Sequence, residues 1–156
     1  MKGRALLFNP WIYDFTAFDL WSRPLGLLYL GAHLRRLGWE VTLLDCMDRL
    51  DLEMPRVSSA SRRLRESGCG GYWKEVVPKP SFFQDIPRFF GRFGLPLGRV
   101  LERLRKMSPP DVVLVTCGMT YWYPGAVLAG EVVREFFPSA LLWLGGVYPT
   151  LCPEHA

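Results

Sequence analysis

The segment 111–125, DVVLVTCGMTYWYPG, constrains the fold more than any other. Val112, Val113, Leu114 and Val115 form an unbroken aliphatic run that stops at Thr116 and Gly118. Such a run suits a strand buried on both faces, the habit of parallel sheets. Pro124 then fits the first turn of a helix, where its fixed φ helps and its missing N–H costs nothing. The segment therefore reads as a parallel strand feeding a helix through a small-residue turn. In open α/β sheets, ligands bind outside the carboxyl ends of such strands, so residues 116–123 are expected to floor any site.

The same grammar extends in both directions. Residues 4–9 read as a first strand ending at the turn signal Asn9-Pro10. Residues 11–23 form a long connection whose rings, Trp11, Tyr13, Phe15, Phe18 and Trp21, must cover either core or ligand. A helix opens at Pro24, with Leu25, Leu28, Ala32 and residues 34–37 at helical spacing and Gly38 as its C-cap. Residues 39–45 follow as the second strand, and the resulting β-loop-α-β unit should cross over right-handedly. Residues 111–116 and 140–144 are the third and fourth strands, with a helix over 124–137 between them. Gly145-Gly146 end the fourth strand, and residues from 147 begin a new loop or helix.

Residues 46–108 break the rhythm. A gap of roughly 60 residues between strands exceeds ordinary loop length, so it reads as an insertion with its own structure. Residues 58–66 look helical, with Arg62, Arg63 and Arg65 on a solvated face. Residues 68–80 are turn-rich, residues 82–93 are aromatic and basic, and residues 97–107 resemble an amphipathic helix. The expected architecture is a single α/β domain over 1–156, a doubly wound parallel sheet with this helical insertion. The edge beside the fourth strand lacks the helix and strand that normally close such a sheet, which points to the front part of a longer protein.

Composition narrows the function classes. With 49% hydrophobic and 22% charged residues in 156, the chain can bury a core and is not of the disordered type. The net charge of +4 is mild, and no RNP, helix-turn-helix or zinc-finger pattern accompanies it, so no nucleic-acid partner is expected. The uncharged stretches 112–130 and 136–153 are interrupted by Gly and Pro, so neither reads as a spanning helix and no membrane partner is expected. Cys46, Cys69, Cys117 and Cys152 lack metal-knuckle spacing. Without a secretory signal they read as free thiols of a cytoplasmic protein.

Catalytic constellations are missing. His33 falls inside the first helix, and His155 carries no motif. Asp14 and Asp19 sit in the first connection, where carboxylates are usually solvated or capping. Neither a GxGxxG nor a P-loop is present, and nothing in the sequence around Cys117 lowers its pKa. The chain alone therefore reads as no catalyst. What remains is a pair of small-residue strand ends: Thr116-Cys117-Gly118 and Gly145-Gly146. Residues without Cβ let a bulky flat ligand lie against the backbone.

Three motifs together resemble a known family. PLGLLYLGAHLRRLGWEVTLLD (24–45), PDVVLVT (110–116) and LGGVYPT (144–150) are similar to the N-terminal cobalamin-binding-type domain of B12-binding radical SAM proteins. Residues 68–80 and 119–125 are similar to one branch of that family. The resemblance implies a flavodoxin-like sheet with cobalamin over its carboxyl edge. It implies cofactor contacts from Asn9, Pro10, Gly26, Thr116, Cys117, Gly118, Met119, Thr120, Gly145, Gly146 and Tyr148. The Gly-Gly after strand four matches outright, whereas the family's Ser-x-Leu after strand three is met only loosely by Thr116-Cys117-Gly118. The Asp-x-His-x-x-Gly motif of cobalamin mutases is absent after strand one, so the resemblance implies base-off cobalamin without a protein His ligand. The CxxxCxxC that holds a [4Fe–4S] cluster with S-adenosylmethionine is also absent, and the resemblance places it in a radical SAM domain downstream. The implied function is a cobalamin module serving methyl transfer or related radical chemistry. The alternative is a cobalamin-free structural or substrate-docking domain of the same architecture.

Overall fold

Four aliphatic runs assemble into one sheet. In the computed structural model, which describes residues 2–19, 23–51 and 69–156, strands β1 (Arg4–Asn9), β4 (Glu40–Asp45), β8 (Val112–Cys117) and β9 (Leu141–Gly146) are all parallel. Their order is β4-β1-β8-β9. The expected parallel α/β sheet is therefore present, with strand bounds within one or two residues of the sequence reading. Gly145 and Gly146 lie inside β9, paired with Thr116 and Cys117, rather than in a turn after it.

Strand alternation divides the apolar residues between two faces. Leu6, Phe8, Val113, Val115 and Cys117 point into the main core, where α3 (Tyr123–Phe136) packs with Ala126, Ala129, Val132 and Val133. Val100 and Leu104 of α2 (Leu97–Arg105) complete that layer. The other face is covered by α1 (Leu25–Arg36), capped by Gly38 at φ 89°. Its buried residues are Leu27 and Gly31, not Leu25, Leu28 and Ala32 as the spacing suggests. Gly31 sets this register, because a Cβ there would stand 2.5 Å from Leu7 Cδ1. The helix thus lies close on β1 and leaves Leu25, Leu28, Tyr29 and Leu30 exposed. Beyond it, Leu141 and Trp143 of the edge strand β9 are exposed as well, Trp143 at 64%.

The aromatic connection after β1 is no plain loop. It forms β2 (Ile12–Asp14) and β3 (Phe18–Asp19), and both pair with the insertion. β2 joins an antiparallel sheet with β7 (Gly91–Phe93) and β6 (Lys74–Val76), in the order β2-β7-β6. β3 pairs with β5 (Gly70–Gly71). The insertion is thus partly strand, with α2 as its described helix. The expected helix over 58–66 and Trp21 lie outside the described residues. A short helix, α4 (Val147–Leu151), follows β9 directly.

Candidate functional site at the carboxyl edge

Parallel strands bring Asn9, Asp45, Cys117 and Gly146 to one edge of the sheet, where the sequence-predicted residues gather. That edge has two unlike halves.

Over β4 and β1 it is closed. Asn9 Nδ2 donates to Asp45 Oδ1 at 2.7 Å, and the Met47 amide donates to the same oxygen at 2.9 Å. Burial pushes the Asp45 carboxyl up, against the lowering effect of those two hydrogen bonds. Cys46 is fully enclosed, its amide bonded to Asn9 O at 2.9 Å and its carbonyl accepting from Leu95 N at 2.7 Å. Burial pushes the Cys46 thiol well up. Gly94, at φ 121°, passes so near that a Cβ would sit 2.5 Å from Cys46 O. Trp11 fills the space between, donating from Nε1 to Leu95 O at 2.6 Å. Its ring meets Phe8 edge-on at 6.0 Å and lies 5.6 Å from the Arg92 guanidinium. Trp11 of the connection therefore covers core, with Tyr13 packed beside it, whereas Phe18 is exposed. Asp19, 1% exposed, bonds Arg49 at 3.0 Å and Arg23 at 3.3 Å. Burial raises its pKa, yet the two guanidinium groups outweigh that and hold it below the usual carboxylate value.

Over β8 and β9 the edge is open. Gly118, Met119 and Gly145 are exposed, Met119 at 39%. A Cβ on Gly145 would meet nothing within 4 Å, and one on Gly118 would only touch the Trp122 ring at 3.7 Å. Gly26, in the first turn of α1, is exposed and equally unobstructed. It belongs to this edge because α1 runs back from it toward the amino ends, where Trp39 N bonds Leu34 O and Lys2 N bonds Gly38 O. Gly146 differs from its neighbour. It holds φ 102°, and a Cβ would lie 2.5 Å from Cys117 O, so it serves the backbone itself.

The remaining predicted residues divide accordingly. Thr116, half-buried, faces Gly145 across the register. Thr120 opens the short turn that leads into α3. Cys117 is buried, its Sγ donating to Met119 O at 3.2 Å, and burial raises its pKa, so it is not a surface nucleophile. Asn9 and Pro10 stand in the closed half, the first bonded to Asp45 and the second buried. Tyr148 is buried below the edge, beside a groove of ≈ 330 Å³ between α3 and β9. Val115, Leu142 and Leu144 floor this groove, and Tyr123 and His155 close one end.

His155 is the residue that sequence reasoning missed. Its Nδ1 lies 2.7 Å from Tyr148 Oη, and its carbonyl accepts from the same phenol at 3.1 Å. Tyr123 stacks edge-on against the imidazole at 5.0 Å. When the carbonyl takes the phenol proton, the imidazole carries a proton on Nδ1 and donates it back to Oη. Burial raises the Tyr148 pKa, so the phenol stays neutral. No local motif announces this pair; it forms because α4 turns the chain back on itself. His33, in the last turn of α1, lies toward the opposite edge.

Among the described residues no group of three or more His, Cys, Asp or Glu side chains is placed to hold a metal ion, and no helix is long and apolar enough to cross a membrane. All four cysteines are free thiols. Comparison with protein-family models, with curated proteins and with solved structures finds no match for this chain.

Proposed function

We propose that this chain is a flavodoxin-like cobalamin-binding module that works with a radical SAM domain in methyl transfer or a related rearrangement. One observation carries the proposal: neighbouring parallel strands β8 and β9 reach the open half of the edge through Gly118 and Gly145, where a Cβ would touch only the Trp122 ring at Gly118 and nothing within 4 Å at Gly145. The order β4-β1-β8-β9, with α1 and α3 on opposite faces, supports the flavodoxin-like assignment, because it creates a switch point between β1 and β8.

The residues fit the group. A corrin ring needs a broad surface poor in Cβ atoms, which Gly118 and Gly145 would supply, with Thr116, Met119 and Thr120 near them in the chain. The apolar groove beside Tyr148 suits the nucleotide tail. His33 lies toward the other edge and His155 is engaged with Tyr148, so neither histidine would be offered to cobalt by this edge. When bound, cobalamin supplies a cobalt centre able to carry a methyl group. The protein's part would be to bind it and orient it through the residues around Gly118 and Gly145.

A second reading, a structural or substrate-docking domain without cobalamin, is favoured by one observation. Asn9 and Pro10, expected to meet the cofactor, are taken up by internal packing. Incubation with hydroxocobalamin, desalting and a visible absorption spectrum separate the two. Retained cobalamin with a base-off spectrum is expected. Its loss from a demonstrably folded sample sinks cobalamin binding by this chain and leaves the docking domain.

A further inference from the structure

Asp14 stands at the end of β2, where the cover meets the turn that follows β8. Its carboxylate is committed on both oxygens. Oδ1 accepts from the Phe15 amide at 2.7 Å, and Oδ2 accepts from Trp122 Nε1 at 3.2 Å. The first bond orients the carboxylate. The second ties together residues 108 positions apart in the chain.

Trp122 ends the short turn from Thr120 that leads into α3. Its ring is half-buried against the main core and lies beside Gly118, where a Cβ would meet it at 3.7 Å. Tyr121 meets the indole edge-on at 5.8 Å. An indole N–H drawn out of water needs an acceptor, and the acceptor it finds belongs to the cover rather than to β8 or α3. The place of the ring beside Gly118 therefore depends on the place of β2.

β2 itself has little freedom. Its three residues pair with β7, Asp14 opposite Gly91, and β7 pairs in turn with β6. Just before the strand, Trp11 Nε1 is bonded to Leu95 O, and the Trp11 carbonyl lies directly against Gly125 in the first turn of α3. The cover thus grips the connection from β8 to α3 twice, through Trp11 on Gly125 and through Asp14 on Trp122.

Resting on the open half as the cofactor shelf, we infer that Asp14 is a positioning residue for that shelf. Through its bond to Trp122 it fixes the ring that bounds Gly118, and so it shapes the surface a flat ligand meets. The insertion gains a task by the same route, because β7 and β6 hold the strand that carries Asp14. A bond that served the fold alone would change stability and leave the affinity of the folded protein where it was.

Two readouts test this, one with cofactor and one without. The first is equilibrium dialysis of hydroxocobalamin against the full chain, at a temperature where each variant is folded by circular dichroism. The dissociation constant should rise about fivefold in Asp14→Ala and about as much in Trp122→Phe, which keeps a ring but has no N–H to donate. The double variant should lose no more than either single one, since Asp14 acts through Trp122. Trp122→Phe cuts the same bond from the other side, so it carries the test if Asp14→Ala fails to fold. The second readout is NMR without cofactor. The Gly118 Hα protons feel the ring current of the indole beside them, and their shifts should move in Asp14→Ala. Wild-type affinity in a folded Asp14→Ala, or single losses that multiply in the double variant, overturns the inference. So do Gly118 protons that Asp14→Ala leaves unmoved, whatever the dialysis shows. A wild type that ignores hydroxocobalamin, with Gly118 protons that do respond to Asp14→Ala, sinks the cobalamin reading instead and upholds Asp14 as the residue that positions the turn.

Discussion

The two halves of the carboxyl edge start from the same architecture, parallel strands ending side by side, and reach opposite outcomes. Over β4 and β1 the backbone is committed to internal bonds, Cys46 to Asn9 and Leu95 to Cys46, and the Asn9 side chain is bonded to that of Asp45. Trp11 then seals the space. Over β8 and β9 the equivalent positions include Gly118 and Gly145, which leave the surface open. The difference lies in the segment after each strand. β1 and β4 lead into the aromatic connection and the insertion, which pair with each other and fold down as a cover. β8 and β9 lead straight into helices, through turns too short to cover anything. A sheet of this kind can thus close one part of its edge and leave another open.

The contrast is broken most severely at Gly125, where α3 begins. A Cβ there would lie only 1.9 Å from Trp11 O, so Gly125→Ala forces the helix and the cover apart. A loss of about 4 kcal/mol or more is expected in chemical denaturation. Asp19→Asn comes next, because it removes a buried carboxylate bonded to the buried Arg49 and to the half-exposed Arg23. About 3 kcal/mol should be lost at pH 7. The sign with pH follows from the depressed native carboxyl. Its contribution is complete above about pH 5 and drains away as pH falls through the unfolded value and below. Wild type and variant should therefore converge in acid. Asp45→Asn is the mild case, with the opposite sign. Burial raises the Asp45 pKa, so ionising it costs stability as pH rises, and an amide oxygen can still accept from Asn9 and Met47. Melting at pH 7 should place this variant within about 0.5 kcal/mol of wild type, or above it.

How far the sequence foretold this follows the same division. The parallel strands were legible because aliphatic residues gather in short runs, as in Val112 to Val115, although the edge strands β4 and β9 leave much of their length exposed. The pair Gly145-Gly146 was legible as a local signal, but it lies inside β9, with Gly145 unobstructed and Gly146 set against Cys117 O. The cover was not. β2, β6 and β7 are three residues each, and β2 pairs with β7 across some 80 positions, which no local period reveals. Gly94 and Gly125 look like ordinary turn glycines until Cys46 and Trp11 arrive from elsewhere in the chain. The α1 register was misjudged for the same reason. Helical spacing offered more than one apolar face, and the contact of Gly31 with Leu7 chose between them.

Gly145 and Gly146 allow the most direct test, because one of them is free and the other is not. Gly145→Val places a branched side chain in open space on an edge strand and should leave the melting curve unchanged. Equilibrium dialysis of hydroxocobalamin against wild type and Gly145→Val, both shown to be equally stable, is the measurement to make. Binding by wild type that falls at least tenfold in the variant is the predicted result. Equal binding by both proteins would place the cofactor elsewhere and contradict the assignment of the open half as its shelf.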